Sequence, residues 1–194
     1  MTRSRWMVCV AAVCAAALGA AQASTVLGLT LEDQARLSRH VVLGEVVAQV
    51  GVDHPDNGLE TAVTLRVVAG LKGGSQPGDA IVFHTRSGEL NGEISVAVGE
   101  AVLRTGQTVL VFLEDIDGRL YNIGLSYGVF RAVEDARGRL SLVRAIEDDL
   151  HVVDDAGVGD GPFTLEDIRA SVAFAARQPR FDNPMVQDAF GKGR

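Results

Sequence analysis

One short segment of the chain has the spacing of a hydrolase nucleophile. The segment 124–128 (GLSYG) matches the G-x-S-x-G pattern around Ser126, and Asp148 or Asp149 and then His151 follow it along the chain. In such a set the histidine takes the proton of the serine hydroxyl, while the carboxylate orients the histidine. The spacing therefore allows a serine hydrolase with Ser126, His151 and Asp148 as its catalytic residues.

The residues after this motif favour a structural interpretation. A nucleophile elbow needs a helix after the serine, whereas the segment 129–133 (VFRAV) has the composition of a strand. Gly124 and Gly128 are typical of a bulge or sharp bend in a barrel strand, where glycine relieves close packing. We prefer the bend, predict that the chain is not an enzyme, and expect Ser126→Ala to leave any activity unchanged.

An acidic segment later in the chain could hold a calcium ion. Carboxylates crowd positions 147–160 among several glycines, and calcium prefers flexible loops rich in oxygen ligands. The spacing differs from that of an EF-hand, which ends with a glutamate at its twelfth position. We interpret the segment as a solvated acidic loop and keep a calcium-stabilised structural domain as an alternative. Its candidate ligands are Asp148, Asp149, Asp154, Asp155 and Asp160.

The sequence contains no pattern for another cofactor. The four histidines are far apart, without the paired spacing of zinc ligands. The segment 70–74 (GLKGG) lacks the spacing of a phosphate-binding loop, so we expect Lys72 to be an exposed charge at a barrel rim. His84 is expected to be a half-buried strand residue. We predict no cofactor, with calcium as the alternative stated above.

The first residues predict export. Two arginines within the first five positions precede an apolar run over 6–18, and the tripeptide 21–23 (AQA) supplies the small residues of a cleavage site. The run is shorter than the roughly 20 residues of a membrane-spanning helix. We therefore predict a signal peptide over 1–23, cleaved after Ala23, with no transmembrane anchor afterwards. The protein would be secreted or periplasmic.

Composition excludes several classes of function. Both cysteines and the single tryptophan lie in the predicted leader, so the mature chain has no disulfide framework and no thiol chemistry. The formal net charge is −7, and Lys72 and Lys192 are the only lysines among the 194 residues. A phosphate backbone is bound by a basic face. We predict no nucleic-acid partner.

Hydrophobic periodicity predicts strands between two capped helices. The tetrapeptide TLED at 30–33 opens a helix that reaches about Arg39, and TLED at 164–167 opens another that reaches about Arg177. The segment 108–113 is almost continuously apolar, so we expect a strand that is buried on both faces. The predicted strands cover 41–50, 60–69, 80–85, 94–98, 108–113, 119–125, 127–133 and 139–144.

These elements predict a mainly β protein with a single antiparallel barrel of the OB-like or netrin-like kind. Closure of the sheet removes exposed strand edges, and a sandwich is the main alternative. We predict one barrel domain over 24–177, with a short N-terminal helix and a C-terminal helix, and a flexible tail over 178–194. The connection 87–106 and the rim loops are the expected binding surface.

The order of segments resembles an uncharacterised family of secreted bacterial proteins. The resemblance extends over 29–175 and is carried by the segments HVVLGEVV, TAVTLRVVAGLKG, GDAIVFHT, GQTVLVFLED, DGRLYNIGLSYGVFRA and TLEDIRASV. More distantly, the strand order is similar to netrin-like metalloprotease-inhibitor barrels, which insert an N-terminal cysteine into the protease metal site. The predicted mature chain begins with Ser24, so that chemistry does not carry over. The resemblance implies a fold and no reaction.

Together these observations predict an exported, non-catalytic binding or interaction module. Its expected partner is an extracytoplasmic protein or glycan. The serine hydrolase built on Ser126 and the calcium-stabilised domain stay open as alternatives.

Overall fold

A computed structural model describes residues 24–134, 137–153 and 161–178. The predicted leader over 1–23 lies outside these residues, as does the predicted tail except for Gln178. Neither helix of the described part of the chain is long and apolar enough to cross a membrane.

Of the eleven strands in the described residues, ten lie between two helices, as the periodicity predicted, and the first precedes both helices. The helices are α1 (Leu31–Leu37) and α2 (Leu165–Ala175). The strands are β1 (Ser24–Leu27), β2 (His40–His54), β3 (Gly58–Lys72), β4 (Ala80–Thr85), β5 (Gly88–Leu90), β6 (Glu93–Ser95), β7 (Thr108–Ile116), β8 (Arg119–Asn122), β9 (Val129–Glu134), β10 (Leu140–Arg144) and β11 (Leu150–Val153). A 3-10 turn, Leu125–Gly128, lies between β8 and β9.

Five strands close into a barrel. They pair in the order β7-β2-β3-β4-β8, and β8 pairs back onto β7 to complete the ring. Four of the pairings are antiparallel, whereas β4 and β8 run parallel and meet at His84 and Tyr121. Numbered along the chain, the ring order is 1-2-3-5-4, which is the order of an OB-type barrel. The predicted mainly β barrel with two helices is confirmed, and the sandwich alternative is wrong.

Two hydrophobic clusters lie on opposite faces of β2 and β7. Val109, Val111 and Leu113 pack inside the barrel, while Leu110 and Phe112 pack outside it against the two helices. All five side chains are buried. The prediction that 108–113 is buried on both faces is confirmed, because the helices cover the outer face that a bare barrel would expose to water.

The helix caps form as the sequence predicted, although both helices are shorter. At α2, Thr164 Oγ1 accepts from the backbone N–H of Asp167 (3.1 Å), and the Asp167 carboxylate accepts from Thr164 N–H (2.7 Å).

At the C-terminus of α1, Lys72 Nζ donates to the carbonyl oxygens of Ala35 (2.7 Å) and Ser38 (2.6 Å). The expectation that Lys72 is an exposed rim charge is therefore wrong, since its ammonium satisfies carbonyl groups that the helix leaves open.

Two further pairings lie outside the barrel, one between strands distant in sequence and one within a single connection. Strand β1 pairs in parallel with β11, and β5 pairs with β6 inside the connection 87–106. Strands β8 and β9 both pair with the same edge of β7. The 3-10 turn therefore interrupts what is otherwise a continuous run along β7.

Candidate functional site

A cleft of about 580 Å³ lies beneath the connection between β4 and β7. Its walls are residues of β2, β3 and β4, the β5–β6 hairpin, the stretch 96–103 and the turn before β11. This volume is in the usual range for a small-molecule or side-chain pocket. Residues of the 87–106 connection, which the sequence predicted as a binding surface, form much of the wall of this cleft.

Core packing and hydrogen bonds fix the connection in place. Ala101 and Leu103 are buried in the barrel cluster and anchor the stretch from inside. The carbonyl oxygen of Ser87 accepts from Thr61 Oγ1 (2.7 Å), and Ser87 Oγ accepts from the backbone N–H of Ala97 (2.9 Å). The Thr61 contact joins the connection to β3, and the Ser87–Ala97 contact joins its two sides, so these contacts hold the walls of the cleft in position.

Five carboxylates line the cleft, and no lysine, arginine or histidine is among its described lining residues. Asp148 and Asp149 are exposed at the turn before β11, and Glu89 is exposed on the hairpin. Glu147 is paired with Arg131 (2.7 Å), which neutralises one of the five charges. The three exposed carboxylates, Glu89, Asp148 and Asp149, make the cleft a negative site.

Glu100 is a buried carboxylate in the wall of the cleft. The residue is 7% exposed, and its Oε2 accepts from the backbone N–H of Arg86 (3.0 Å). Asn122 Nδ2 donates to the carbonyl oxygen of Leu125 (2.6 Å), and Glu100 Oε1 is buried away from solvent. Burial raises the pKa of the Glu100 carboxyl, while hydrogen bonds from the Arg86 N–H, the Asn122 side chain and the Ala101 N–H oppose the shift.

Three aliphatic side chains form an exposed rim around the acidic lining. Ile94 is 66% exposed, Val96 73% and Val102 58%, and all three line the cleft. Isolated exposed aliphatic residues are ordinary on a protein surface, but a group at one cleft indicates an interaction site. The rim and the carboxylates together suit a ligand with both apolar and cationic parts.

The structure places Ser126 beneath this cleft and away from solvent. The residue is fully buried, its backbone N–H donates to the Gly99 carbonyl (3.0 Å), and its Oγ accepts from the backbone N–H of Glu147 (3.3 Å). Strand β9 follows the motif, as the sequence predicted. A Cβ added at Gly128 would overlap the carbonyl oxygen of Ile123, so close backbone approach explains this glycine.

The other two residues of the hydrolase alternative lie on the surface. His151 is an exposed residue of β11, paired in register with Thr25 of β1. Asp148 lines the cleft. Ser126 is buried and its hydroxyl is bonded to the backbone N–H of Glu147, whereas Asp148 and His151 are exposed at the surface.

The calcium alternative falls only partly on described residues. Asp148 and Asp149 line the cleft, whereas Asp154, Asp155 and Asp160 lie outside the residues that the structure describes. Among those it does describe, no three histidine, cysteine or carboxylate side chains are grouped so as to hold a metal ion.

A second polar cluster, which sequence reasoning missed, lies where β4 meets β8. Glu60 is fully buried and accepts from the Tyr121 hydroxyl (2.9 Å) and Arg119 Nη1 (3.1 Å). His84 Nδ1 is 3.4 Å from Glu60 Oε2, and His84 is half-buried in its strand, as predicted. Burial lowers the pKa of His84 and raises the pKa of Tyr121, to which the hydrogen bond with Glu60 adds. This cluster joins the strands that close the barrel.

Comparison with known proteins adds no assignment: no protein-family model and no curated protein matches this chain. The fold and the site define a closed five-stranded barrel with an acidic cleft rimmed by aliphatic side chains. The cleft itself is therefore the basis for the function proposed next.

Proposed function

We propose that this protein is an exported, non-catalytic binding module that holds its ligand in the cleft beneath the 87–106 connection. The observation that carries this proposal is the grouping of three exposed aliphatic residues and five carboxylates around one cleft. Export is the expectation from the leader over 1–23. The one serine with nucleophile spacing, Ser126, is buried beneath the cleft, which favours binding over acyl transfer.

An extracytoplasmic protein fits this cleft better than a glycan. The described lining contains no aromatic side chain on which a sugar ring could stack. The exposed aliphatic side chains at the rim, Ile94, Val96 and Val102, offer the kind of apolar surface that protein partners cover. We therefore expect the ligand to be a segment of another exported or envelope protein.

Affinity capture with matched variants tests the proposal. The chain from Ser24 onward is immobilised, exposed to the secreted and envelope fraction of its source, and the retained proteins are identified. The cleft variant is Val96→Ser with Val102→Ser. The control variant is Val68→Ser with Val82→Ser, which removes two exposed valines that do not line the cleft.

We expect the wild type and the control variant to retain one defined protein that the cleft variant loses. Equal retention by all three would show that the ligand binds elsewhere on the barrel. The absence of any specifically retained protein would contradict the binding function itself. Retention of a protease would connect the cleft with the inhibitor-like barrels that the strand order resembles.

A further inference from the structure

The turn between β2 and β3 contains an asparagine followed directly by a glycine, Asn57 and Gly58. Both residues are exposed, and Gly58 has a positive φ of 78°. Apart from its two neighbours in the chain, no described residue has an atom within 4 Å of the place where a Cβ on Gly58 would lie. The backbone nitrogen of Gly58 is therefore not shielded by a side chain of its own or by packing, and it lies next to the Asn57 amide.

The side chain of Asn57 connects this turn to a buried carboxylate. Its Nδ2 donates to Oε1 of Glu60 (3.2 Å), a fully buried residue. The same Oε1 accepts from the Tyr121 hydroxyl (2.9 Å), and Oε2 accepts from Arg119 Nη1 (3.1 Å). The Asn57 amide is thus one of the donors in the cluster that joins β4 to β8.

A carboxylate at position 57 would disturb this cluster. It would remove a hydrogen-bond donor from Glu60 Oε1 and bring a second negative charge beside the first. A buried carboxylate that loses a donor is destabilised, and two carboxylates that share one site repel each other. The effect falls on the barrel seam, the junction of β4 and β8, whose register joins only His84 with Tyr121.

An isoaspartate at position 57 would disturb the turn as well, because it passes the main chain through the side-chain carbon and lengthens it. The turn depends on close contacts: the backbone N–H groups of Asp56 and Asn57 both donate to His54 Nδ1 at 3.1 Å. Gly58 is paired with His54 in register. A longer main chain at this position moves the donors relative to His54, so this product also weakens the contact with Glu60.

We propose that Asn57 and Gly58 form a modification site at which the chain deamidates itself, and that the product weakens the barrel seam. The Gly58 nitrogen forms a bond to Asn57 Cγ, the bond from Cγ to Nδ2 breaks, and the Gly58 amide proton leaves with that nitrogen as ammonia. Water then supplies a hydroxyl to one carbonyl of the succinimide and a proton to its nitrogen, which opens the ring. The product is an aspartate or isoaspartate at position 57, and water is the only co-reactant.

Ageing of the chain from Ser24 tests the chemistry. The wild type is incubated at mildly alkaline pH, where the Gly58 nitrogen loses its proton more readily, and peptide mass spectrometry follows the conversion of amide to acid. We expect both products at position 57. Asn57→Gln is the matched variant, since its longer side chain would have to close a larger ring and should keep its amide over the same time.

Hydrogen exchange measures the effect on the barrel seam without waiting for the reaction. Asn57→Asp supplies one product directly, and the amides of β8 should exchange at least about tenfold faster, the effect of losing a hydrogen bond to a charged group. Asn91→Asp is the control. It introduces the same charge at the other Asn-Gly pair of the sequence, in the exposed turn between β5 and β6, and should leave the β8 amides unchanged.

The two measurements together decide the inference. Aged wild type should show the faster β8 exchange of Asn57→Asp, whereas aged Asn57→Gln should match its own fresh sample. If the wild type keeps its amide at position 57 for a time in which a denatured sample converts, the proposed chemistry is wrong. Equal β8 exchange in Asn57→Asp and Asn91→Asp would overturn the link between this site and the barrel seam.

Discussion

Replacing Glu60 with glutamine should lower the free energy of unfolding by about 3 kcal/mol. The carboxylate is fully buried and accepts from the Tyr121 hydroxyl, Arg119 Nη1 and Asn57 Nδ2 at 2.9, 3.1 and 3.2 Å. Glutamine keeps one acceptor oxygen but turns an amide donor toward these donors and removes the negative charge. Strands β4 and β8 pair at only one position, His84 with Tyr121, so this cluster holds the barrel closed.

The expected loss of unfolding free energy depends on how far Arg119 and Tyr121, the partners of Glu60, are exposed to water. Removing one member of a buried charged pair costs about 3–5 kcal/mol, because the other member is left uncompensated. The Arg119 side chain is 33% exposed, so water can solvate part of its charge after the substitution. Tyr121 is only 4% exposed, and its hydroxyl loses part of its acceptor without access to water. The exposure of Arg119 brings the expected cost down to about 3 kcal/mol, and the burial of Tyr121 keeps it from falling further.

Urea unfolding followed by far-ultraviolet circular dichroism measures this change, since the predicted mature chain has no tryptophan to report fluorescence. Glu45→Gln is the matched control, because the Glu45 carboxylate pairs with Arg66 where water reaches both side chains, which are 35% and 59% exposed. An exposed pair of this kind contributes below about 1 kcal/mol. If Glu60→Gln costs no more than Glu45→Gln, the buried cluster does not hold the barrel closed and the reasoning is refuted.

Three other substitutions probe the cleft and its surroundings. Burial raises the pKa of Glu100, so the folded state keeps a proton that the unfolded chain loses, and the free energy of unfolding should fall as pH rises above the ordinary carboxyl pKa. Melting temperatures measured from about pH 4 to about pH 8 should therefore fall less for Glu100→Gln than for the wild type. Parallel pH curves for the two proteins would contradict this. The Arg144 guanidinium lies 4.0 Å from the centre of the Tyr127 ring and donates to the backbone carbonyl oxygen of Tyr127 (2.7 Å). Arg144→Lys should therefore lower the free energy of unfolding in urea by about 2 kcal/mol. An unchanged unfolding midpoint would argue against the stacking. Ser126→Ala removes the acceptor for the Glu147 N–H and should cost about 1 kcal/mol without changing hydrolysis of a short acyl ester; hydrolysis that depends on Ser126 would instead support the hydrolase.

Much of the barrel could be predicted from the sequence because its signals are local. The β2–β3 hairpin, the strand β4, the two-sided burial of β7 and both helix caps are each set by residues within a few positions of one another. The pairing of β1 with β11 could not be predicted this way, since Ser24 and Leu150 meet only after the barrel closes. The same holds for the 3-10 turn, whose place is set by the edge of β7 that β8 and β9 share.

For the candidate site too, local features could be predicted from the sequence, whereas contacts between distant residues could not. The sequence by itself determined that 87–106 is a glycine-rich connection, that the segment from 147 is acidic, and that the strand after Ser126 leaves no helix for a nucleophile elbow. Only the tertiary structure decided that Glu100 faces the same cleft as Asp148 and Asp149, and that Ser126 is buried beneath it. Periodicity along a chain reports which face of an element is apolar, whereas the meeting of distant side chains depends on how strands pair when the barrel closes.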